Sequence, residues 1–376
     1  MNFDFTDDQL SLRDAVARWV DKGFTFERRH AIAKGGGHTR DVYGELAELG
    51  LTGLVIPEVH GGMGFGPVEA MVVMEELGRG LVNAPLAAGA LVAPTLLSGA
   101  PAAVQAQWLP KIAAAEALVV LALQERGARY RWQRVTTRAV QAGGAWHLTG
   151  TKNLVPAADE ADAYIVPARI AGNDDDAAGI GLFLVERGAA ASVRGYPTRD
   201  GGRAGDVVLK DSAAALIEAE GYATLERAID VAIAADCAEG VGAMEKLVAL
   251  TVEYMNTRKQ FGVTLSTFQA LRHRIADVKM QLELGRSMSY YATLKLGEPA
   301  LQRRRAISQA KVQLGQSVRH VGQQCIQLHG GIGVTDEYQG SHYFKRLTML
   351  EMSYGDTMHH LGEVNCRMAD TAGVFA

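Results

Sequence analysis

Three short clusters carry side chains able to do chemistry. In Tyr254-Met255-Asn256-Thr257-Arg258-Lys259-Gln260-Phe261-Gly262 a helical pattern ends in two cations and a glycine. The negative end of a helix dipole favours cations in the last turn, so a solvated cap accounts for them. The same residues could clamp an anion, because arginine offers phosphate a planar fork and Phe261 could stack on a ring. In Gln327-Leu328-His329-Gly330-Gly331-Ile332-Gly333 the glycines permit either close backbone approach to a ligand or a tight turn after a helix. The third cluster, Met352-Ser353-Tyr354-Gly355-Asp356-Thr357-Met358-His359-His360, brings a carboxylate near two imidazoles. Adjacent histidines on a helix point about 100° apart, so a metal would need further ligands. Asp356 as a helix N-cap is a sufficient account, and no metal site is expected.

The elements that must position these clusters follow from periodicity. Residues 5–19 and 41–49 repeat apolar side chains at helical spacing, the second run stopping at Gly50. Gly61-Gly62-Met63-Gly64-Phe65-Gly66 precedes a helical run over 68–77 and superficially suggests a phosphate cradle. No alternating strand–helix pattern follows, so a turn is expected instead. Residues 118–123, 136–140, 145–148, 163–168, 181–185 and 206–209 read as strands, with turns at 143–144, 172–176 and 200–202. Helical segments return over 225–257, 266–296, 299–330 and beyond Asp356. The expected division is 1–116 helical, 117–221 β and 222–376 helical.

Composition bounds the function. The chain has 376 residues, 48% hydrophobic and 21% charged, which suits two or three globular domains and argues against wholesale disorder. Lys plus Arg is 38 and Asp plus Glu 42, a net charge of −4 with no basic block, so nucleic acid is not an expected partner. Cys237, Cys325 and Cys366 lie far apart and form no disulfide framework, which fits a reducing cytoplasm. The amino terminus is acidic and does not read as a secretory signal. Residues 80–110 carry no charge, but Pro85, Pro94 and Pro101 interrupt them, favouring short buried helices over a membrane span.

Taken together, the order of elements and the clusters resemble the acyl-CoA dehydrogenase family across nearly the whole chain. The matching segments are 57–66, Glu75-Glu76-Leu77-Gly78-Arg79, 148–152 with Ala161-Asp162, 258–262, Phe268-Gln269 and 327–331. The resemblance implies a mainly α fold with a central β-domain: an N-terminal helical domain, a small β-barrel or sandwich, and a C-terminal four-helix bundle. It further implies a dimer of dimers around FAD, an acyl-CoA substrate and an electron-accepting flavoprotein. In that chemistry a carboxylate in a dry pocket removes an α-proton, and the flavin carries out the redox step. Arg258, Phe261, Gln327 and Gly331 would hold the ADP half of a flavin seated mainly in the neighbouring chain. Thr357 is a further expected cofactor contact.

Two segments depart from the family pattern. Where most members supply the base from a Tyr-Glu-Gly-Thr run, this chain reads Tyr354-Gly355-Asp356-Thr357, and the alternative base position falls at Ala232. The flavin-contacting loop corresponds to Gln124-Glu125-Arg126-Gly127-Ala128-Arg129, and a Trp-Ile-Thr run to Leu154-Val155-Pro156. The ring side is altered while the ADP side is kept. That asymmetry matches the small subunits of heteromeric acyl-CoA dehydrogenases, of the pimeloyl-CoA or steroid side-chain type, in which a homologous chain supplies the base within a heterotetramer. The other expectation is a homomeric enzyme using Asp356 as its base.

Overall fold

The structure is a computed structural model that describes residues 4–368. Helices α1 (Asp7–Gly23), α2 (Phe26–Lys34), α3 (Arg40–Glu48), α4 (Pro67–Arg79), α5 (Ala93–Leu97) and α6 (Ala102–Ala113) come first. Strands β1 (Val119–Leu121), β2 (Arg138–Ala142), β3 (Ala145–Pro156), β4 (Ala163–Arg169), β5 (Ile180–Glu186), β6 (Ser192–Pro197) and β7 (Arg203–Glu218) follow. Helix α7 (Tyr222–Thr257), the short strands β8 (Lys259–Gln260) and β9 (Val263–Thr264), and helices α8 (Gln269–Lys295), α9 (Ala300–His329), α10 (Gln339–Met352) and α11 (Thr357–Cys366) complete the described chain. These elements form two compact units, residues 4–29, 67–82 and 233–368 in one, and 30–66 with 83–232 in the other.

The first unit is helical. Helix α1 opens on a capping box in which Thr6 Oγ1 accepts from Gln9 N–H at 3.3 Å while Gln9 Oε1 accepts from Thr6 N–H at 3.0 Å. Helix α9 is the axis of the unit. Its buried stripe of Ile307, Leu314, Val318, Val321 and Cys325 follows helical spacing, and α8, α10 and α11 pack around it. Helices α4 and α7 cross so closely that a Cβ on Gly242 would stand 1.8 Å from the Glu75 carbonyl oxygen. Glu75 itself is buried between α1 and α8, paired with Arg13 at 3.1 Å and with Arg286.

The second unit is built on a sheet that closes on itself. The strand order is β1-β4-β2-β3-β7-β5, β5 returns to pair with β4, and β6 joins the edge of β7. The β4–β5 pairing closes the middle of the sheet, leaving β1 and β6 as its edge strands. Strand β4 is buried along its whole length, as a strand walled on both faces must be. Gly143 and Gly144 (φ 57° and 83°) make the two-residue β2–β3 turn, where positive φ matches the twist of the strands. Arg169, 1% exposed, donates to the carbonyls of Ala178, Gln133 and Asp174 at 2.7, 2.9 and 3.0 Å, tying two loops to the barrel.

Several elements differ from their sequence reading. Strand β3 runs on past Leu148 through Gly150 to Pro156, because two bulges against β7 absorb residues that break a regular strand. Strand β6, with Gly195 and Pro197, is an edge strand lacking strong alternation, and α2 and α10 were not expected. In the glycine-rich turn the backbone N–H groups of Met63, Gly64 and Phe65 donate to Gly53, Ile56 and Leu54 at 2.9, 2.8 and 2.9 Å. Those donors are consumed internally, so the segment is a packed turn. The uncharged stretch breaks into a π-helical turn (Ala87–Val92), α5 and α6, with Pro94 in the first turn of α5 and Pro101 capping α6. Among the described residues no helix is long and apolar enough to cross a membrane.

Candidate functional site

In the helical unit the ends of α7 and α9 meet. Helix α7 stops after Thr257, and the chain reverses through the β8–β9 hairpin, whose tip is Phe261 (φ 53°) and Gly262 (φ 83°). Phe261 is 92% exposed and packs edge-on to Phe268 with centroids 6.2 Å apart. Helix α9 stops at His329, and Gly330 at φ 64° starts a 3-10 turn. Between these ends lies a concavity of about 770 Å³ lined by Tyr254, Arg258, Gln260, Gln327, Gly330 and Gly331 over apolar Leu265, Leu271, Leu328 and Ile332. Among the described residues, no Asp or Glu lines it. Arg258, Gln327 and Gly331, far apart in sequence, are thus brought together, and Phe261 stands outside the lining.

His329 fastens this arrangement. Its Nδ1–H donates to the Cys325 carbonyl at 2.7 Å, leaving Nε2 to accept from Tyr338 O–H at 2.8 Å. Its ring lies against Tyr254 (4.7 Å) and Tyr338 (4.9 Å), and burial holds its pKa below the ordinary imidazole range. The neutral ring therefore clips the last turn of α7, which carries Tyr254, to the last turn of α9. Sequence reasoning passed over this role, which no local motif signals.

The third cluster lies at the start of α11. Asp356 Oδ1 accepts from His359 N–H at 2.8 Å as the N-cap. Thr357 Oγ1 donates to Glu351 Oε1 at 2.8 Å, so its hydroxyl is engaged within the bundle. Gly355 has φ 114°, and a Cβ there would meet His359 Cδ2 at 2.5 Å and His360 Nε2 at 2.6 Å. His360 is fully buried, with Nε2–H donating to the Tyr354 carbonyl at 3.0 Å and Nδ1 accepting from Ser308 O–H at 3.3 Å. Burial, reinforced by the Lys311 charge, pushes its pKa down to about 3, so it stays neutral. Beneath it Lys311 Nζ donates to the Leu350 carbonyl and lies 4.0 Å from Asp236 Oδ2. Burial drives the Asp236 carboxyl up to about 7 against the pull of Lys311.

In the barrel unit, Lys152 and Glu125 form a buried pair at 2.7 Å. Burial alone would raise the Glu125 carboxyl, but the Lys152 ammonium and the Thr136 and Thr137 hydroxyls outweigh it and hold the pKa at about 2. Leu154 and Ala157 take left-handed φ of 52° and 46° on either side of Val155-Pro156, and Leu154 is 61% exposed. Pro156 pairs with Ala204 and offers no N–H to a ligand. Ala232 is buried and apolar.

Residues 6–116 match the acyl-CoA dehydrogenase N-terminal domain and residues 219–368 the acyl-CoA dehydrogenase C-terminal domain. The chain belongs to the acyl-CoA dehydrogenase family, whose members are FAD-dependent flavoproteins. (2S)-Methylsuccinyl-CoA dehydrogenase from Cereibacter sphaeroides is 26% identical over 361 residues, covering 89% of this chain. The chain spans 64% of that relative's length. A variant of the Tcur3481-Tcur3483 steroid ACAD superposes with a TM-score of 0.87 at 28% identity, covering 98% of this chain and 99% of the other. The ChsE4-ChsE5 complex from Mycobacterium tuberculosis gives 0.88 at 25% identity, covering 99% and 100%.

Proposed function

We propose that this chain is the non-catalytic partner of a heteromeric acyl-CoA dehydrogenase, completing the FAD site of a homologous chain that supplies the base. The observation that carries this reading is the closure of the base position. Gly355 has no side chain, its φ suits glycine, and the space a glutamate would need holds the His359 and His360 rings. Asp356 is one residue displaced and bound as an N-cap, and a proton acceptor misplaced by about 1 Å is costly. We therefore assign Asp356 to capping α11 rather than to the chemistry.

The concavity at the ends of α7 and α9 fits the ADP half of FAD. A guanidinium free of carboxylates suits a diphosphate, the small residues Gly330 and Gly331 allow close approach, and Leu271, Leu328 and Ile332 offer an apolar floor for a ring. Arg258, Gln327 and Gly331 would hold the phosphates and ribose, and exposed Phe261 would reach a ring from the hairpin tip. A flavin held there would supply the hydride-accepting chemistry needed for acyl-CoA dehydrogenation. This chain's part is to bind and orient the flavin's ADP end. Likeness to the ChsE4-ChsE5 complex and to a steroid ACAD supports a heterotetramer of two homologous chain types, acting in steroid or fatty acyl-CoA degradation and passing electrons to a flavoprotein acceptor. Segments 1–116, 117–221 and 222–376 are its proposed domains.

The test is Arg258→Ala in the complex reconstituted with a homologous acyl-CoA dehydrogenase chain. Loss of a charge-assisted contact should weaken flavin retention by roughly ten-fold or more. Unchanged retention would overturn the clamp.

A further inference from the structure

We propose that Arg274 is a second phosphate-binding residue of the concavity, making it a clamp for a diphosphate rather than a monophosphate. The proposal rests on the nucleotide reading of the concavity and adds a residue that the sequence clusters did not contain.

Arg274 projects from α8 into the same concavity that Arg258 enters from the end of α7. Its neighbour Arg272 is occupied, Nε donating to the Ser266 carbonyl at 2.9 Å, and does not line the concavity. The Arg274 and Arg258 side chains form no hydrogen bond or ion pair among the described residues, and both are exposed. Asp277, one turn along α8 from Arg274, lies outside the lining. Two guanidinium groups therefore share one concavity without a counterion, which raises its potential and favours an anion between them.

The helix ends make the second cation necessary. The last turns of α7 and α9 both face the concavity through Tyr254 and through Gln327, Leu328 and His329. Each C-terminus carries about −0.5 of an elementary charge, or about −1 together, and His329 is neutral. Arg258 alone would bring that sum to about zero, whereas Arg258 with Arg274 leaves about +1. A diphosphate gains from both forks, while a single phosphate needs only one.

The test is calorimetric titration of the flavin-free full-length chain with ADP and with AMP. The wild-type chain should bind ADP more tightly than AMP. Arg274→Gln should weaken ADP by roughly ten-fold, toward the AMP level, with AMP little changed. Arg274→Lys should recover part of the loss, and Arg272→Gln should bind both nucleotides as the wild type does. Arg258→Gln should weaken both. If Arg258→Gln weakens both nucleotides but Arg274→Gln leaves ADP unchanged, the Arg274 assignment falls and the clamp survives. If the wild type binds neither nucleotide, the clamp reading falls and Arg274 with it.

Discussion

Introducing the missing carboxylate by Gly355→Glu should damage the chain and should not make it an independent dehydrogenase. Any side chain at φ 114° is strained, at a cost of roughly 1–3 kcal/mol. The new Cβ would also arrive 2.6 Å from His360 Nε2, so the buried ring must move away from the Tyr354 carbonyl. An orphaned buried donor costs about 1–3 kcal/mol more. The sum, roughly 2–6 kcal/mol, is a large share of the about 5–15 kcal/mol by which folded proteins are stable. We expect Gly355→Glu to lower the melting temperature by on the order of 5–10 °C. Gly355→Ala, which adds the Cβ alone, should produce most of that fall. Acyl-CoA-dependent reduction of an artificial electron acceptor by the purified chain should stay at background for both variants. A Gly355→Glu protein that melts like the wild type and turns over acyl-CoA would refute the reasoning, because it would show the base position to be open.

Two further outcomes concern buried charge. His360, held at about 3 when folded against an ordinary value of 6.5, leaves the folded chain short of a proton that the unfolded chain takes up. Its contribution is intact above about pH 6.5 and is lost as pH falls toward 3. Asp236, raised from 3.8 to about 7, acts with the opposite sign, its contribution being lost as pH rises toward 7. Melting curves from pH 7.5 to 5 should therefore separate wild type from His360→Asn, the variant losing less stability on acidification, and parallel curves would contradict this. In the barrel, Lys152→Met leaves Glu125 charged and buried, which should cost about 3–5 kcal/mol, whereas Lys152→Met with Glu125→Leu should recover much of it. Denaturant unfolding of the two variants decides the matter, and equal stability would be the contrary result.

What could be read from the sequence divides by range. The helix–β–helix order, the Gly143-Gly144 turn and the Asp356 cap are set by periodicity or by a few adjacent residues, and the structure reproduces them. The second half of β3 depends on pairing with a distant part of the chain, Val155 lying opposite Gly205, whereas β6 pairs with its sequence neighbour β7 but carries Gly195 and Pro197, which argue locally against a strand. The gathering of Arg258, Gln327 and Gly331 was anticipated from family likeness, since no local pattern relates the ends of two helices. Arg274 was missed because an exposed arginine within a helix looks like ordinary solvated surface. The closure at Gly355 was half legible. The glycine is visible in the sequence, but the imidazoles that fill its side-chain space are seen only once α11 is folded.

The central claim, a chain that completes a flavin site without supplying the base, is tested most directly by a visible spectrum, a solution mass and an acyl-CoA turnover assay. These should be recorded for the chain alone and for the chain co-expressed with a homologous acyl-CoA dehydrogenase chain. We predict no turnover and little flavin for the chain alone, with stoichiometric flavin, a heterotetrameric mass and turnover in the complex. A flavin-saturated homo-oligomer of this chain that dehydrogenates acyl-CoA unaided would contradict the account.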